Sequence, residues 1–466
     1  MASGLRAVVL AAGKGTRMNS ARAKVLHEAG GRPILHYVLD LCGELEAETV
    51  VVVGHQAEAV KESCAGRTGV AFALQEPQLG TGHAVQVAVK EMGRQEGPVL
   101  VLAGDVPLLR VETLRALCAL RQKTGAAAAL VSFKTPSPGA YGRIVRGEDG
   151  RVRSIVEARD ATREQLLIDE VNASLYVFDG ARLDAVIRSL RSDNAQGEFY
   201  LTDVIGMMAE GGDRIEALIA ADPSETAGVN TTGELAAIER EIYLRRASTL
   251  LSAGVLLERP DTILVGPEAV VAPGAKIRAF TILEGRTLVG AGASVGPFCR
   301  IENSEVAQGA TVLDSCLIRD SKVGPGATIG PFAHLRPETV VEENAKVGNF
   351  VELKKTRLGA GAKAPHLSYL GDSTIGVKAN IGAGTITCNY DGVAKHRTVV
   401  EDGVFIGSDS QLVAPVRVGQ GAMIAAGTTV TRDVPAGALT LSRVPQIDKP
   451  EYAESLRTRL RQRKGS

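Results

Sequence analysis

Two stretches of the sequence gather groups that can hold phosphate or move a proton. In the first, Leu10-Ala-Ala-Gly-Lys-Gly-Thr-Arg-Met18 follows a short apolar run. A glycine-rich turn after a strand lets backbone amides approach a phosphate closely, and Lys14 and Arg17 would add positive charge. The spacing is neither that of a Walker A loop nor that of the dinucleotide fingerprint, whose third glycine is missing. By itself such a turn also serves as a plain strand–helix connection. Lys24 comes six residues after Met18, where a phosphate contact is the better reading than a solvated surface lysine. Asp105, in Leu102-Ala-Gly-Asp-Val-Pro107, stands just past another apolar run. That places it at the carboxyl edge of a sheet, where a metal bridging phosphate oxygens would sit, the alternative being an aspartate that caps the next helix. The second stretch holds His366 beside Tyr369, with Lys354, Asn389, Tyr390 and Asp391 nearby in sequence. A histidine titrates close enough to neutrality to accept a proton there.

The elements that must position these groups fall into two kinds. From residue 1 to 230, short apolar runs such as Val50–Val53, Val99–Leu102 and Ala127–Val131 alternate with helical stretches such as Val111–Leu120. Alternation of this kind predicts an open α/β domain, Rossmann-like, with a mostly parallel sheet that binds ligands at the carboxyl ends of its strands. Residues 231–251 read as a linker helix, opened by Thr231 and Glu234 at capping-box spacing. From 252 to 446 an aliphatic residue recurs every six positions: Val265, Val271, Ile277, Leu283, Val289, Val295 and Ile301, and again from Val323 to Leu353 and from Val400 to Val430. Glycine often follows it, as at Gly290, Gly296 and Gly348. Hexapeptide periodicity predicts a parallel β-helix, left-handed by its similarity to other hexapeptide repeats, with glycine permitting the backbone of each turn. The rhythm fails between Leu353 and Ile375 and between Ile381 and Val400, which predicts loops on a binding face, with His366 in one of them. Residues 447–466 form a basic tail, read as a solvated, partly disordered end.

Composition bounds the function. At 466 residues the chain exceeds one ordinary core. Its 53 basic and 53 acidic residues cancel, so the footprint of a nucleic-acid binder is missing. The six cysteines are scattered without a CxxC pair, as in a protein that keeps reduced thiols. No run reaches the roughly 18 apolar residues of a membrane span, and the N-terminal run is too short for a signal segment. The expectation is a cytoplasmic enzyme with no membrane association.

Further motifs make a resemblance specific. Gln75-Glu-Pro-Gln-Leu-Gly-Thr-Gly-His83, Gly104-Asp105, Tyr141-Gly-Arg143, Ile155-Val-Glu157 and Gly228-Val-Asn230 join the N-terminal loop in resembling the sugar-phosphate nucleotidylyltransferases. In the hexapeptide half, Asn349–Lys355, His366–Asp372 and Asn380–Gly392 complete a resemblance to the bacterial bifunctional N-acetylglucosamine-1-phosphate uridylyltransferase/glucosamine-1-phosphate N-acetyltransferase family. It covers nearly the whole chain except the last twenty or so residues.

The resemblance implies residue roles. Leu10, Ala11, Ala12 and Gly13 would line the uridine of UTP, with Gln75, Gly80 and Thr81 selecting uracil. Arg17 and Lys24 would neutralise the triphosphate, Asp105 and Asn230 would hold Mg²⁺, and Gly142, Glu157 and Asn172 would contact the sugar. The family's Asn-Thr-Gly reads Asn172-Ala-Ser174 here, which leaves recognition of the acetamido group open. In the second site His366 would be the general base, because only a neutral amine attacks a thioester. Arg336, Lys354, Tyr369 and Asn380 would bind glucosamine 1-phosphate. Ala383, Asn389, Tyr390, Ser408, Ala426 and Arg443 would lie along acetyl-CoA. The family also implies a homotrimer. The competing reading is a mono-functional nucleotidylyltransferase whose β-helix is structural or regulatory. A non-catalytic scaffold is opposed by Lys24, Asp105 and Asn230 occurring together.

Overall fold

The computed structural model describes residues 4–18, 20–93 and 96–464. The chain forms two compact units, Met1–Arg245 and Arg246–Ser466. In the first, the strands Arg6–Leu10, Glu48–Val53 and Pro98–Ala103 are dominated by Val, Leu and Ala, which suit a sheet covered on both faces. They run parallel, with Val9 level with Val51 on one side and Leu102 on the other. The sheet order is Ile215–Ile219, Ala128–Lys134, Glu170–Asp179, Pro98–Ala103, Arg6–Leu10, Glu48–Val53, Val70–Leu74. Only Glu170–Asp179 on this path runs antiparallel to its neighbours. The first strand lies where the order reverses, so a crevice opens beyond its carboxyl end. Helices Ile34–Glu44, Thr81–Met92 and Val111–Thr124 bury Leu35, Val85 and Leu114. The helix Thr232–Ser252 starts with a reciprocal cap: Glu234 N–H donates to Thr231 Oγ1 at 3.2 Å, and Thr231 N–H to Glu234 Oε2 at 2.9 Å. None of the helices among the described residues is long and apolar enough to cross a membrane.

The second unit is a left-handed β-helix whose strands stack into three parallel sheets of eleven, ten and nine strands. Val265 sits level with Leu283, Val271 with Val289 and Ile277 with Val295, so a regular coil takes eighteen residues. The recurring aliphatics point inward: Ile277, Leu283, Val295 and Ile301 are fully buried. Each such side chain contributes about 1.5–3 kcal/mol on burial.

Three details differ from the sequence reading. Apart from Gly330 (φ 94°), the glycines after the aliphatics do not take the left-handed backbone of the corners, which falls two residues later, as at Gly292 (φ 66°) and Phe350 (φ 55°). They are needed for close stacking instead. A Cβ on Gly290 would lie 2.6 Å from Gln308 N, and one on Gly348 would overlap the carbonyl of Pro365 in the next coil. The break between Leu353 and Ile375 is not a loop. Val341 pairs with Leu358 and Leu353 with Leu370, seventeen residues on, so a corner has lost one residue while the strands continue. His366 therefore ends a strand, Lys363–His366. The break before Val400 is a true insertion, since Ile375 pairs with Val400 twenty-five residues on. The basic tail is a helix from Tyr452 to Lys464, with its side chains exposed, as its Leu, Arg, Gln and Lys content favours.

Candidate active sites

The crevice at the end of the first strand is a cleft of about 580 Å³, lined in part by Leu10, Ala11, Ala12 and Gly13. Gln78 closes one side by donating to the Ala12 carbonyl at 2.7 Å. Gln75, Gly80 and Thr81 line the same cleft. Gln75 is buried and donates to Gly80 O at 2.9 Å. Thr81 opens the helix Thr81–Met92 and accepts from Leu201 N–H at 3.1 Å.

The charged groups meet on the wall. Lys24 forms an ion pair with Asp105, both side chains mostly shielded from water. Asn230 Oδ1 accepts from Lys24 Nζ at 3.0 Å and from Arg17 at 2.9 Å. Two oxygen donors, Asp105 and Asn230, thus converge on one ammonium. Such a pair, a carboxylate and an amide oxygen completed by phosphate oxygens, is a donor set that suits Mg²⁺. The cleft walls near Glu157 differ in character. Burial pushes the Glu157 carboxyl above the usual carboxylate range, with Asp203 and Asp160 adding to the shift. Thr202 donates to it at 3.1 Å. Gly142 packs against Ile155 and Glu157, and its carbonyl accepts from Asn172 N–H at 2.9 Å.

Asn172 itself is buried. Its amide donates to Tyr176 OH at 2.7 Å and accepts from Ser174 N–H at 3.1 Å, within the register shift of its strand. Ser174 and Tyr176, the partners of its amide, line the cleft, with Ser174 in left-handed backbone at φ 58°.

The second group of residues lies along one edge of the β-helix. Asn349 and His366 occupy equivalent places in successive coils and pair in register. His366 Nδ1 lies 2.8 Å from Asn349 Oδ1. With Nδ1–H donated to the amide oxygen, Nε2 is left as the basic nitrogen. The same corner continues upward. Asp409 N–H donates to Ala383 O at 2.7 Å and Gly427 N–H to Ser408 O at 2.8 Å. Ala383, Ser408 and Ala426 each stand two residues past an inward Ile (Ile381, Ile406, Ile424), so they stack in one column with His366. The stem of Arg443 lies over Gly427 near the end of that column.

On the adjoining sheet Tyr369 lies between Glu352 and Ile386, and Arg336 pairs with Glu352 at 2.8 Å. Asn380 lies between Lys363 and Phe405 in the sheet that carries His366. Lys354 approaches Asp372 at 3.5 Å, and Asp372 also accepts from the buried Asn389. Tyr390 is exposed and donates to Gly392 O at 2.6 Å.

Three neighbours of these residues carry no role in the sequence reading. Asn349 is one coil below His366, a position that counting coils would have found. Asp372 organises Lys354 and Asn389. Lys395, in the insertion, brings its amine beside Lys354, which pushes Lys395 below the ordinary lysine value. No periodicity marks it.

Residues 7–170 match the MobA-like NTP transferase domain, and residues 320–355 and 397–432 match the bacterial transferase hexapeptide repeats. Together with the two sets of residues, these matches define the class: an NTP-transferase unit and a hexapeptide-repeat transferase unit in one chain. Over 447 residues the chain is 48% identical to the bifunctional protein GlmU of Alkalilimnicola ehrlichii, covering 96% of each chain. It is 46% identical to the bifunctional protein GlmU of Exiguobacterium sibiricum over 96% of this chain and 99% of that one. Identity to that of Pelobacter propionicus is 46% over 95% and 96% of the two chains. The chain belongs to the family of bifunctional GlmU proteins.

Proposed function

We infer that the chain makes UDP-N-acetylglucosamine in two reactions. It transfers acetyl from acetyl-CoA to the amine of glucosamine 1-phosphate, then transfers UMP from UTP to N-acetylglucosamine 1-phosphate and releases pyrophosphate. The observation that carries this is the match to bifunctional relatives along both units rather than along the first alone.

In the first unit the attacking sugar phosphate and the α-phosphate of UTP are both anions, so positioning and charge neutralisation dominate. Lys24 and Arg17 supply cations to the triphosphate, while the Leu10–Gly13 backbone and Gln75 hold the uridine. Asp105 and Asn230 would hold Mg²⁺, which neutralises phosphate oxygens when bound. Glu157 accepts sugar hydroxyls. Gly142 and Asn172 contact the sugar, and the buried amide of Asn172 also supports Ser174 and Tyr176 at the cleft wall.

In the second unit His366 Nε2 takes a proton from the sugar ammonium. The free amine attacks the thioester carbonyl, the C–S bond breaks, and the amine's second proton passes to the departing sulfur, so that CoA leaves as thiol. Lys354, Lys395 and Arg336 receive the phosphate through charge-assisted hydrogen bonds. Tyr369 and Asn380 receive the sugar hydroxyls. The column Ala383, Ser408 and Ala426 supports acetyl-CoA, with Asn389 and Tyr390 alongside and Arg443 at its anionic end.

The β-helix assembles as a homotrimer. An exposed row on one corner, with Phe280 stacked on Phe298 and Phe332 on Phe350, gives such an association an apolar surface to cover. Light scattering on the purified protein should give three times the chain mass, and a monomer mass would refute the trimer. Two half-reactions test the activities: CoA release that requires glucosamine 1-phosphate, and pyrophosphate release that requires UTP and N-acetylglucosamine 1-phosphate. Pyrophosphate release without CoA release would leave the mono-functional reading.

A further inference from the structure

The insertion Asn389–Arg397 leaves the coil and folds on itself. At its root the buried Asn389 donates to Asp372, the carboxylate that faces Lys354. Tyr390 on the outgoing arm bridges Lys395 on the returning arm, antiparallel. His396 N–H donates to Asn389 O at 2.8 Å. Asp391 then ties the arms together with its side chain. Its Oδ1 accepts from the N–H groups of Val393 at 2.8 Å and Ala394 at 2.7 Å, and its Oδ2 lies 2.6 Å from His396 Nε2.

This loop has little packing to set its shape. Val393 is 92% exposed and Tyr390 60%. Segments with few buried apolar contacts owe their order to hydrogen bonds and open easily when one is lost. The end of the loop also carries a repulsive load, because Lys395 is held beside the like charge of Lys354. Without a restraint on the returning arm, Lys395 would move away.

We propose that Asp391 and His396 are positioning residues for acetyl transfer. Their bond closes the insertion so that Tyr390 on one arm and Lys395 on the other are presented together, one to acetyl-CoA and one to the sugar phosphate. This rests on the acetyl-transfer reading above. The carboxyl of Asp391 is held well below the usual range, first by the Ala394 amide and then by His396, so it stays an anionic acceptor.

The test is steady-state kinetics of His396→Ala and His396→Gln in the full-length protein, with uridylyl transfer in the same samples as the check on folding. His396→Ala should raise KM for both glucosamine 1-phosphate and acetyl-CoA by about tenfold, the loss expected for one charge-assisted hydrogen bond, with kcat changed less than about twofold. His396→Gln, whose amide nitrogen can reach Asp391 Oδ2, should recover most of both values. Parental KM values in His396→Ala, a fall in kcat alone, or a glutamine variant no better than alanine would each overturn the proposal. If the parent releases no CoA with glucosamine 1-phosphate, the acetyl-transfer reading fails and the proposal falls with it.

Discussion

Replacing Gly348 by alanine tests how the stacked coils hold the proton acceptor. A Cβ at this position would overlap the carbonyl of Pro365, one residue before His366. For ordinary van der Waals contact the two coils must part locally by about 1 Å or more. The His366 Nδ1 to Asn349 Oδ1 separation is 2.8 Å and spans the same two coils. Adding about 1 Å takes it past hydrogen-bond range and frees the imidazole to turn. A misplacement of that size costs roughly 100-fold in turnover. Overpacking also costs about 1–3 kcal/mol of stability. Gly348→Ala should therefore lower kcat for CoA release about 100-fold and lower the melting temperature, with uridylyl transfer at the parental rate. Gly290→Ala, whose Cβ would meet Gln308 N at 2.6 Å several coils away, should lower the melting temperature and leave CoA release intact. Thiol release and thermal melting measure both. A Gly348→Ala protein with parental CoA release would refute the argument that coil spacing fixes the base.

His366→Ala should lower acetyl-transfer kcat by about 10² to 10⁴-fold while uridylyl transfer continues at the parental rate. Asp105→Ala should abolish pyrophosphate release while CoA release continues, and loss of both would indicate a folding role. Glu157 has a folded pKa above its unfolded value, so its burial costs stability as pH rises through the folded pKa and costs nothing at low pH. Glu157→Gln should therefore melt higher than the parent at neutral pH, equal it in acid, and transfer uridylyl groups more slowly. A fragment ending near Arg246 should keep uridylyl transfer and lose acetyl transfer, and a folded fragment without uridylyl transfer would refute that division of labour.

Much of the architecture is legible in the sequence, because its period is long and strict. Every inward aliphatic from Val265 to Ile301 is buried as the six-residue rhythm requires. The misreadings have physical causes. A corner shortened by one residue shifts the phase of the hexads without interrupting the strands, and in sequence this resembles an insertion. That is why the sequence pattern places His366 in a loop. The glycines after the aliphatics look like turn formers because spacing reveals a small residue but not whether conformation or close approach demands it. In the first unit Lys24, Asp105 and Asn230 converge from positions far apart in sequence. Asn172 shows the opposite limit. Its presence was legible, but not that Tyr176 and Ser174 would occupy its amide.

The central claim is that one chain carries both chemistries, and a single incubation tests it most directly. Purified protein is given glucosamine 1-phosphate, acetyl-CoA, UTP and Mg²⁺, and the products are separated after each component is omitted in turn. UDP-N-acetylglucosamine should form only in the complete mixture. Omitting UTP should leave N-acetylglucosamine 1-phosphate and CoA, and omitting acetyl-CoA should leave no acetylated sugar. If the complete mixture yields no acetylated product while added N-acetylglucosamine 1-phosphate is still uridylylated, the β-helix edge is not an active site and the two-reaction account is contradicted.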